Sequence, residues 1–375
     1  MTSDEKRAGP GSITFVISSD RPRGAEVQAE RISEGLGRLG WRIELVSLCS
    51  QGAGPSVAAE PVSDRAPEGL GRLNRDVVVG LRRRIRARRP DVVLANGSAT
   101  LRYAVASLVG LRAAGPRLVY VAIGEPTYWI RSRRHRLLQR MLLGRVDLVL
   151  AVSEATRRQL VEQMGQDPDR VKLAYSGVPR SFLELTPSAP HQELRLLFLG
   201  SLSREKNPEA ALEVMVGLGK ITEGRLRFVG TGPLQDSLHR RVSELGLGAR
   251  VEFAGSVRDV RKHLAWADVL VLTSRTEGLP GAAVEAAAAG VPSVAFDVGG
   301  TREVVMDGVT GRVLRPGDIE GFVAALLSLA EADETRARWG AAARAMVEDR
   351  FLMDHAVASY HRLLLEELQA GRPPP

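Results

Sequence analysis

A chain of 375 residues is too long for one ordinary hydrophobic core, so two domains are expected. With 44% apolar and 5% aromatic residues it falls in the globular range, which excludes fibrous and integral-membrane classes. Heavy use of arginine leaves a formal net charge of +8, which favours anionic partners: phosphorylated small molecules, anionic lipid or nucleic acid.

The single cysteine, Cys49, cannot close an internal disulfide, and a reducing, cytoplasmic setting is the default. The opening MTSDEKRAGPGS is polar, without the apolar middle of a signal peptide. No segment approaches the roughly 18 uninterrupted apolar residues that a spanning helix needs. The expectation is a protein that can touch a membrane without crossing it.

In chain order, residues 12–18 (SITFVIS) predict a buried strand, 25–39 a helix, 42–48 a strand and 73–88 a helix. Strands follow at 91–95 (DVVLA), 117–122 and 147–152 (DLVLAV), with helices near 99–112 and 129–143 between them; a helix at 154–164 and a short strand at 171–174 complete this half. Continuous Val/Ile/Leu runs fit strands covered on both faces, hence a parallel sheet flanked by helices. The stretch 179–193 (PRSFLELTPSAPHQE), with three prolines, breaks the pattern and predicts a linker. Strands then resume at 194–199 (LRLLFL), 225–229, 250–253, 268–272 and 292–296, each followed by a turn and a helical stretch. Helices at 320–329 and 341–347 close this half; 354–368 is an amphipathic helix and 371–375 a tail. Alternation that stops and restarts predicts two doubly wound α/β domains, 1–183 and 190–352, with 353–375 crossing back toward the first. Ligands of such sheets bind outside the carboxyl ends of the strands, and the cleft between the domains is the expected site.

The literal G-x-G-x-x-G at Gly35, Gly37 and Gly40 ends a helix and precedes a strand, the reverse of the dinucleotide fingerprint, and reads as a helix stop. Glycine-rich turns placed directly after strands occur in the second half: Gly200-Ser201-Leu-Ser-Arg204-Glu-Lys206-Asn207, Gly230-Thr-Gly232-Pro233 and Gly299-Gly300-Thr301. Glycine there lets backbone amides approach a ligand closely, and three such turns in one domain converge on one sheet edge.

The segment from Ala267 to Pro292 carries most of the signal. A strand ends at Leu272, a loop holds Glu277, and a helix opens near Pro280 or Gly281, proline suiting a first helical position. The amides of Gly281 and Ala282 at that positive helix end form a ready diphosphate site. Glu285 near the first turn has two readings, a ligand contact or a carboxylate complementing the helix dipole.

Glu277 and Glu285, separated by seven residues in the frame S-R-T-E-G-L-P-G-A-A-V-E-A-A-A-A-G-V-P, resemble the E-x7-E element of retaining glycosyltransferases of the GT-B fold, family 4. Gly200–Asn207, Gly230–Pro233, Phe253-Ala-Gly255, Gly299-Gly-Thr-Arg-Glu303 and Asp307-Gly-Val-Thr-Gly311 are similar to its other motifs in order. In the first half Arg23-Gly24-Ala25-Glu26 resembles its G-G-A-E loop, and Tyr175-Ser-Gly-Val178 its N-G-V turn. The likeness covers nearly the whole chain and is tightest after residue 195.

The resemblance implies two Rossmann-like domains with an interdomain cleft, and transfer of a sugar, with retention, from a nucleotide diphosphate sugar to an acceptor such as a lipid-linked or cell-envelope glycan. It implies that Glu285 holds the ribose, Glu277 contacts the donor sugar, and Lys206 with Arg204 neutralises the departing diphosphate. Gly200, Ser201, Gly278, Leu279, Pro280, Gly281, Ala282, Gly230, Gly232 and Val257 would line the donor, while Gly24, Ala25 and Asn96 would form an acceptor-side loop. The chain departs from the pattern three times. Ser201 stands where arginine is common, and Pro280 where glycine is usual. No histidine precedes His135, although many relatives carry a first-half histidine near the reacting centre; Glu125 is either its substitute or a solvated loop residue.

No metal and no cofactor are expected, because lysine and helix amides can do a metal's work on a diphosphate; Asp167-Pro168-Asp169 reads as a turn. Basic runs at 82–89 (RRRIRARR) and 131–140 (RSRRHRLLQR) lie in the first half. The second, over 131–143, fits either a peripheral contact with an anionic membrane at its inner face or a helix with a solvated basic side and an ordinary core side. Sparse aromatics and the absence of a known reading module argue against nucleic acid. The alternative function is a GT-B nucleotide-sugar epimerase. Base, sugar, acceptor and linkage are not written in the sequence.

Overall fold

A computed structural model describes residues 9–50, 56–63, 73–111, 115–128, 130, 132–186, 193–219 and 222–370. Part of the expected linker (187–192), the terminal tail (371–375), residues 1–8, Trp129 and Arg131 lie outside the described residues. The chain divides into two units, Met1–Ser176 with Met353–Pro375, and Gly177–Leu352.

In the first unit, β1 (Ser12–Ser19), α1 (Gly24–Arg38), β2 (Arg42–Cys49), β3 (Glu60–Pro61), α2 (Arg75–Arg88), β4 (Val92–Asn96), α3 (Ser98–Leu108), β5 (Arg117–Ala122), α4 (Arg133–Leu143), β6 (Leu148–Ala151), α5 (Glu154–Arg158) and β7 (Val171–Leu173) follow one another. The strands form one parallel sheet in the order β3-β2-β1-β4-β5-β6-β7. The apolar runs that predicted these strands are buried on both faces, with Val16, Val93, Leu94 and Val119 fully enclosed. The two-residue β3 is an addition to the sequence reading; its proline sits at the sheet edge, where a missing amide costs no ladder bond. Three arginines of the basic run 82–89 are engaged in the fold. Arg84 pairs with Glu44 and Glu60, Arg88 with Glu44, and Arg82 donates to the carbonyls of Ser107 and Val109.

The second unit repeats the plan with β8 (Leu194–Leu199), α6 (Pro208–Leu218), β9 (Gly224–Val229), α7 (Gln235–Glu244), β10 (Val251–Phe253), α8 (Arg261–Trp266), β11 (Val269–Leu272), α9 (Gly281–Ala288), β12 (Ser293–Phe296), α10 (Thr301–Val304), β13 (Gly311–Leu314), α11 (Ile319–Ala330) and α12 (Asp333–Arg350). Its sheet, also parallel, runs β10-β9-β8-β11-β12-β13. Phe198, Phe228, Phe296 and Phe322 fill its core, and aromatic pairs of this kind add roughly 0.5–1.5 kcal/mol beyond area burial. The segment entering this unit is packed, with a 3-10 turn at Arg180–Phe182 burying Phe182.

The last helix, α13 (Met353–Gln369), packs on α1 of the first unit. A Cβ on Gly35 would come within 2.3 Å of Val357, so glycine there is what lets the two helices approach. Trp41 donates its indole N–H to His361 at 2.9 Å, and Arg117 bonds the Ala370 carbonyl and pairs with Glu367. The G-x-G-x-x-G thus serves packing and chain reversal, Gly40 taking φ +89° just past the end of α1.

Candidate functional site

In both sheets the strand order reverses beside the first strand, between β1 and β4 and between β8 and β11. Loops leaving adjacent strands in opposite directions open a crevice outside their carboxyl ends. In the second unit those loops are the glycine turn after β8 and the glutamate loop after β11, which the sequence separates and the sheet brings together.

They are bonded to each other at several points. The Arg275 amide donates to the Glu205 carbonyl at 2.7 Å, its guanidinium to Asn207 Oδ1 at 3.0 Å, and the Thr273 hydroxyl to the Asn207 carbonyl at 2.8 Å. Asn207 itself turns the chain into α6 with φ +52°, a left-handed conformation that asparagine tolerates better than most residues. At the centre, Lys206 Nζ donates to both carboxylate oxygens of Glu277, at 2.7 and 2.8 Å, and the Ser274 hydroxyl donates to Oε1 at 2.6 Å. Glu277 is only 6% exposed, so a charge-assisted, bidentate contact satisfies a nearly buried carboxylate.

The other glycine turns close around this pair. Leu202 donates its amide to the Thr231 carbonyl and Gly230 to that of Gly255, tying the turns after β8, β9 and β10. A Cβ on Gly230 would fall 2.0 Å from the Gly200 carbonyl oxygen, so only glycine permits this backbone contact. Gly300 donates to the Gly278 carbonyl, joining the loop after β12. Gly200, Ser201, Gly230, Gly232 and Lys206 are thereby brought to the same sheet end as Glu277, Gly278 and Leu279; Val257 is half-buried two residues beyond Gly255. Arg204 is exposed and makes no ion pair among the described residues.

Helix α9 opens at the second of the two starts the sequence allowed. Pro280 is its N-cap, with extended ψ of 92°, and the helix starts at Gly281. The Pro280 carbonyl takes the Ala283 and Val284 amides, leaving those of Gly281 and Ala282 to head the helix, where no intrahelical carbonyl reaches them. Glu285 therefore lies beyond the first turn, which holds no acidic residue. The dipole effect falls off within that turn, so a carboxylate at this position gains less from it than one in the first turn would.

Two family models match the chain, "Glycosyltransferase Family 4" over residues 22–182 and "Glycosyl transferases group 1" over 186–346, together most of its length. The chain belongs to the GT-B glycosyltransferases. Among curated relatives, the sulfoquinovosyl transferase SQD2 of Arabidopsis thaliana is 27% identical over 69% of this chain and 54% of its own. The GDP-mannose-dependent alpha-(1-6)-phosphatidylinositol monomannoside mannosyltransferase of Mycolicibacterium smegmatis is 29% identical over 62% of this chain and 66% of its own. The matches span about half the length of the first of these curated relatives. The structure of Anabaena HepE in complex with UDP and glucose superposes with a TM-score of 0.79 at 22% identity, covering 94% of this chain and 98% of that one. Sucrose-phosphate synthase from Thermosynechococcus elongatus gives the same TM-score at 17% identity, covering 95% and 98%. These likenesses establish the fold.

In the first unit of this GT-B chain, the Asn96 side-chain amide donates to the Ala25 carbonyl at 3.1 Å. That bond brings Asn96, at the end of β4, to Gly24 and Ala25, which open α1. Glu125 is half-buried in the loop after β5. Glu26, singled out only as the end of the Arg23–Glu26 motif and given no role of its own, is buried in the first turn of α1, and burial pushes its carboxyl up to about 7 against the pull of its own backbone amide and of Arg23. Ser274 was likewise missed. A serine three residues before a loop glutamate was the available signal; for Glu26 it was an acid opening an otherwise core-facing helix.

Among the described residues no three His, Cys, Asp or Glu side chains form a metal-binding group, and the Asp167 side chain caps its own turn by accepting from the Asp169 amide. Among the described residues, too, no helix is long and apolar enough to cross a membrane.

Proposed function

We propose that the protein transfers a sugar from a nucleotide diphosphate sugar to an acceptor hydroxyl, with retention of anomeric configuration and without a metal ion. The observation that carries this reading is the Lys206–Glu277 pair, fixed at the strand-order reversal of the second sheet in the loop that runs into α9. An ammonium has three N–H donors; two engage Glu277, and the third is available to a diphosphate oxygen. Cleavage of the sugar C1–O bond builds negative charge on the departing diphosphate and positive charge on C1. Lys206, Arg204 and the Gly281 and Ala282 amides stabilise the first, and Glu277 faces the sugar. The acceptor hydroxyl forms the new C1–O bond on the same face and gives its proton to the departing phosphate oxygen, yielding glycoside and nucleoside diphosphate. Glu285 holds the ribose, and Gly24, Ala25, Asn96 and Glu125 lie on the acceptor side.

HepE's complex with UDP and glucose supports a nucleotide-sugar donor by analogy. The acceptor we propose is lipid-linked, in cell-envelope glycan synthesis, and met from the cytoplasmic side of a membrane; the phosphatidylinositol monomannoside in the name of the Mycolicibacterium smegmatis relative supports its lipid part alone.

A thermal-shift panel of UDP-, GDP-, ADP- and dTDP-sugars tests the donor. A ligand present at a hundred times its dissociation constant adds about 2.7 kcal/mol, so one member should raise the unfolding temperature clearly. No shift with any of them would remove the donor reading. Conversion of the shifting sugar to its epimer without an acceptor would replace transfer by epimerisation. The anomeric coupling constant of the glycoside product, by NMR, tests retention.

A further inference from the structure

The sequence of α4, RRHRLLQRMLL, contains no acidic residue. At 3.6 residues per turn, Leu137, Leu138 and Met141 fall within about 100° of arc and make one apolar strip. An amphipathic helix ordinarily turns such a strip to the core. Here it faces outward: Leu137 is 61% exposed, Met141 63% and Leu138 45%, and Leu143 at the far end is the buried residue of the helix. Arg133, Arg134, Arg136 and Arg140 are exposed around the strip. Tyr128 and Ile123, from the segment joining β5 to α4, are exposed as well.

We infer that α4 is an interfacial helix that seats the protein on an anionic lipid surface, Leu137, Leu138 and Met141 entering the acyl boundary while the arginines meet headgroup phosphates. Charge complementarity selects this occupant. A second copy of the same face would set arginine against arginine, and a nucleic acid would call for stacking aromatics rather than three aliphatic side chains. Arginine suits the rim, because its stem lies along apolar surface while its guanidinium reaches the phosphates. The loop leading into α4 leaves the carboxyl end of β5, where Glu125 lies, so docking through α4 brings the acceptor-side loops to the lipid. That last step, an acceptor held in the membrane, rests on the transfer reading; the docking itself does not.

The test is co-sedimentation of the full chain, without nucleotide sugar, with phosphatidylcholine vesicles and with vesicles also containing phosphatidylglycerol. Wild type should sediment with the anionic vesicles, should not with the neutral ones, and should be released by salt. A Leu137→Gln/Leu138→Gln/Met141→Gln variant should lose roughly tenfold or more in partitioning. An Arg133→Gln/Arg134→Gln/Arg136→Gln variant should lose roughly a hundredfold at low salt. Both should keep the wild-type unfolding temperature and its shift with nucleotide sugar, because the altered side chains are exposed. Equal sedimentation with both vesicle types, or with neither, overturns the proposal, as does undiminished binding by the apolar variant. A concentration-dependent dimer abolished by the apolar substitutions, with no vesicle binding, assigns the strip to a second copy and overturns it too. With no donor present, failure here leaves the donor thermal shift standing, and failure of that shift leaves vesicle binding standing.

Discussion

Glu277 is held from two directions, by Lys206 from the turn after β8 and by Ser274 from its own loop. A carboxylate so restrained has little rotamer freedom left, which suits the sugar contact proposed for it. Charge-assisted hydrogen bonds contribute roughly 1.5–3 kcal/mol, so Lys206→Ala should slow turnover by roughly one to two orders of magnitude. Glu277→Gln should chiefly depress kcat, while Glu285→Gln should weaken donor affinity. Calorimetric titration of the Glu285 variant with unchanged affinity would remove its assignment to the ribose. Glu26 makes a separate prediction about pH. Its carboxyl is raised from 4.5 to about 7 by burial, so the folded chain prefers the neutral form. The resulting stability is complete below about 4.5 and is lost as pH rises through about 7. Glu26→Gln should remove that dependence, gaining on the order of 3 kcal/mol over wild type by about pH 8 and little at about pH 4.5. Urea unfolding of both proteins across this range decides it, and parallel profiles would rule the carboxyl out.

At the level of elements, the central strands were legible because parallel strands buried on both faces must be continuously apolar. The edges were not. β3 is two residues long, and β13 begins at Gly311, whose backbone lies against the Ser293 carbonyl, a contact invisible in a four-residue run. Helix α12 extends from Asp333, well before the predicted start at 341, because residues 333–338 are mostly polar and outward-facing and carry no periodic signal. The docking of α13 on α1 depends on Gly35. Gly35→Val should overpack that contact and cost about 1–3 kcal/mol, measurable by thermal unfolding, whereas Gly37→Ala, which meets nothing within 4 Å, should cost little. Equal losses in the two variants would argue that backbone conformation, and not the Val357 contact, explains Gly35.

At the scale of the molecule, each unit carries its own sheet and its own core, so each is expected to unfold as a cooperative body. Differential scanning calorimetry can then allocate effects. A donor bound to Gly177–Leu352 should raise the transition of that unit, and Gly35→Val should lower that of the other. A donor-induced rise confined to the transition that Gly35→Val lowers would place the nucleotide in the first unit and overturn the site described above.

The sequence by itself determined the strands, the glycine turns and the carboxylate spacing, because each is a relation among neighbours along the chain and follows from period, turn chemistry or motif. The pairing of Lys206 with Glu277, 71 positions apart, the burial of Glu26 and the outward turn of Leu137 and Met141 were decided only in three dimensions. Strand order determines which loops share a crevice, and packing of neighbouring elements determines which face of a helix is covered. Neither leaves a periodic trace in the chain that folds into it.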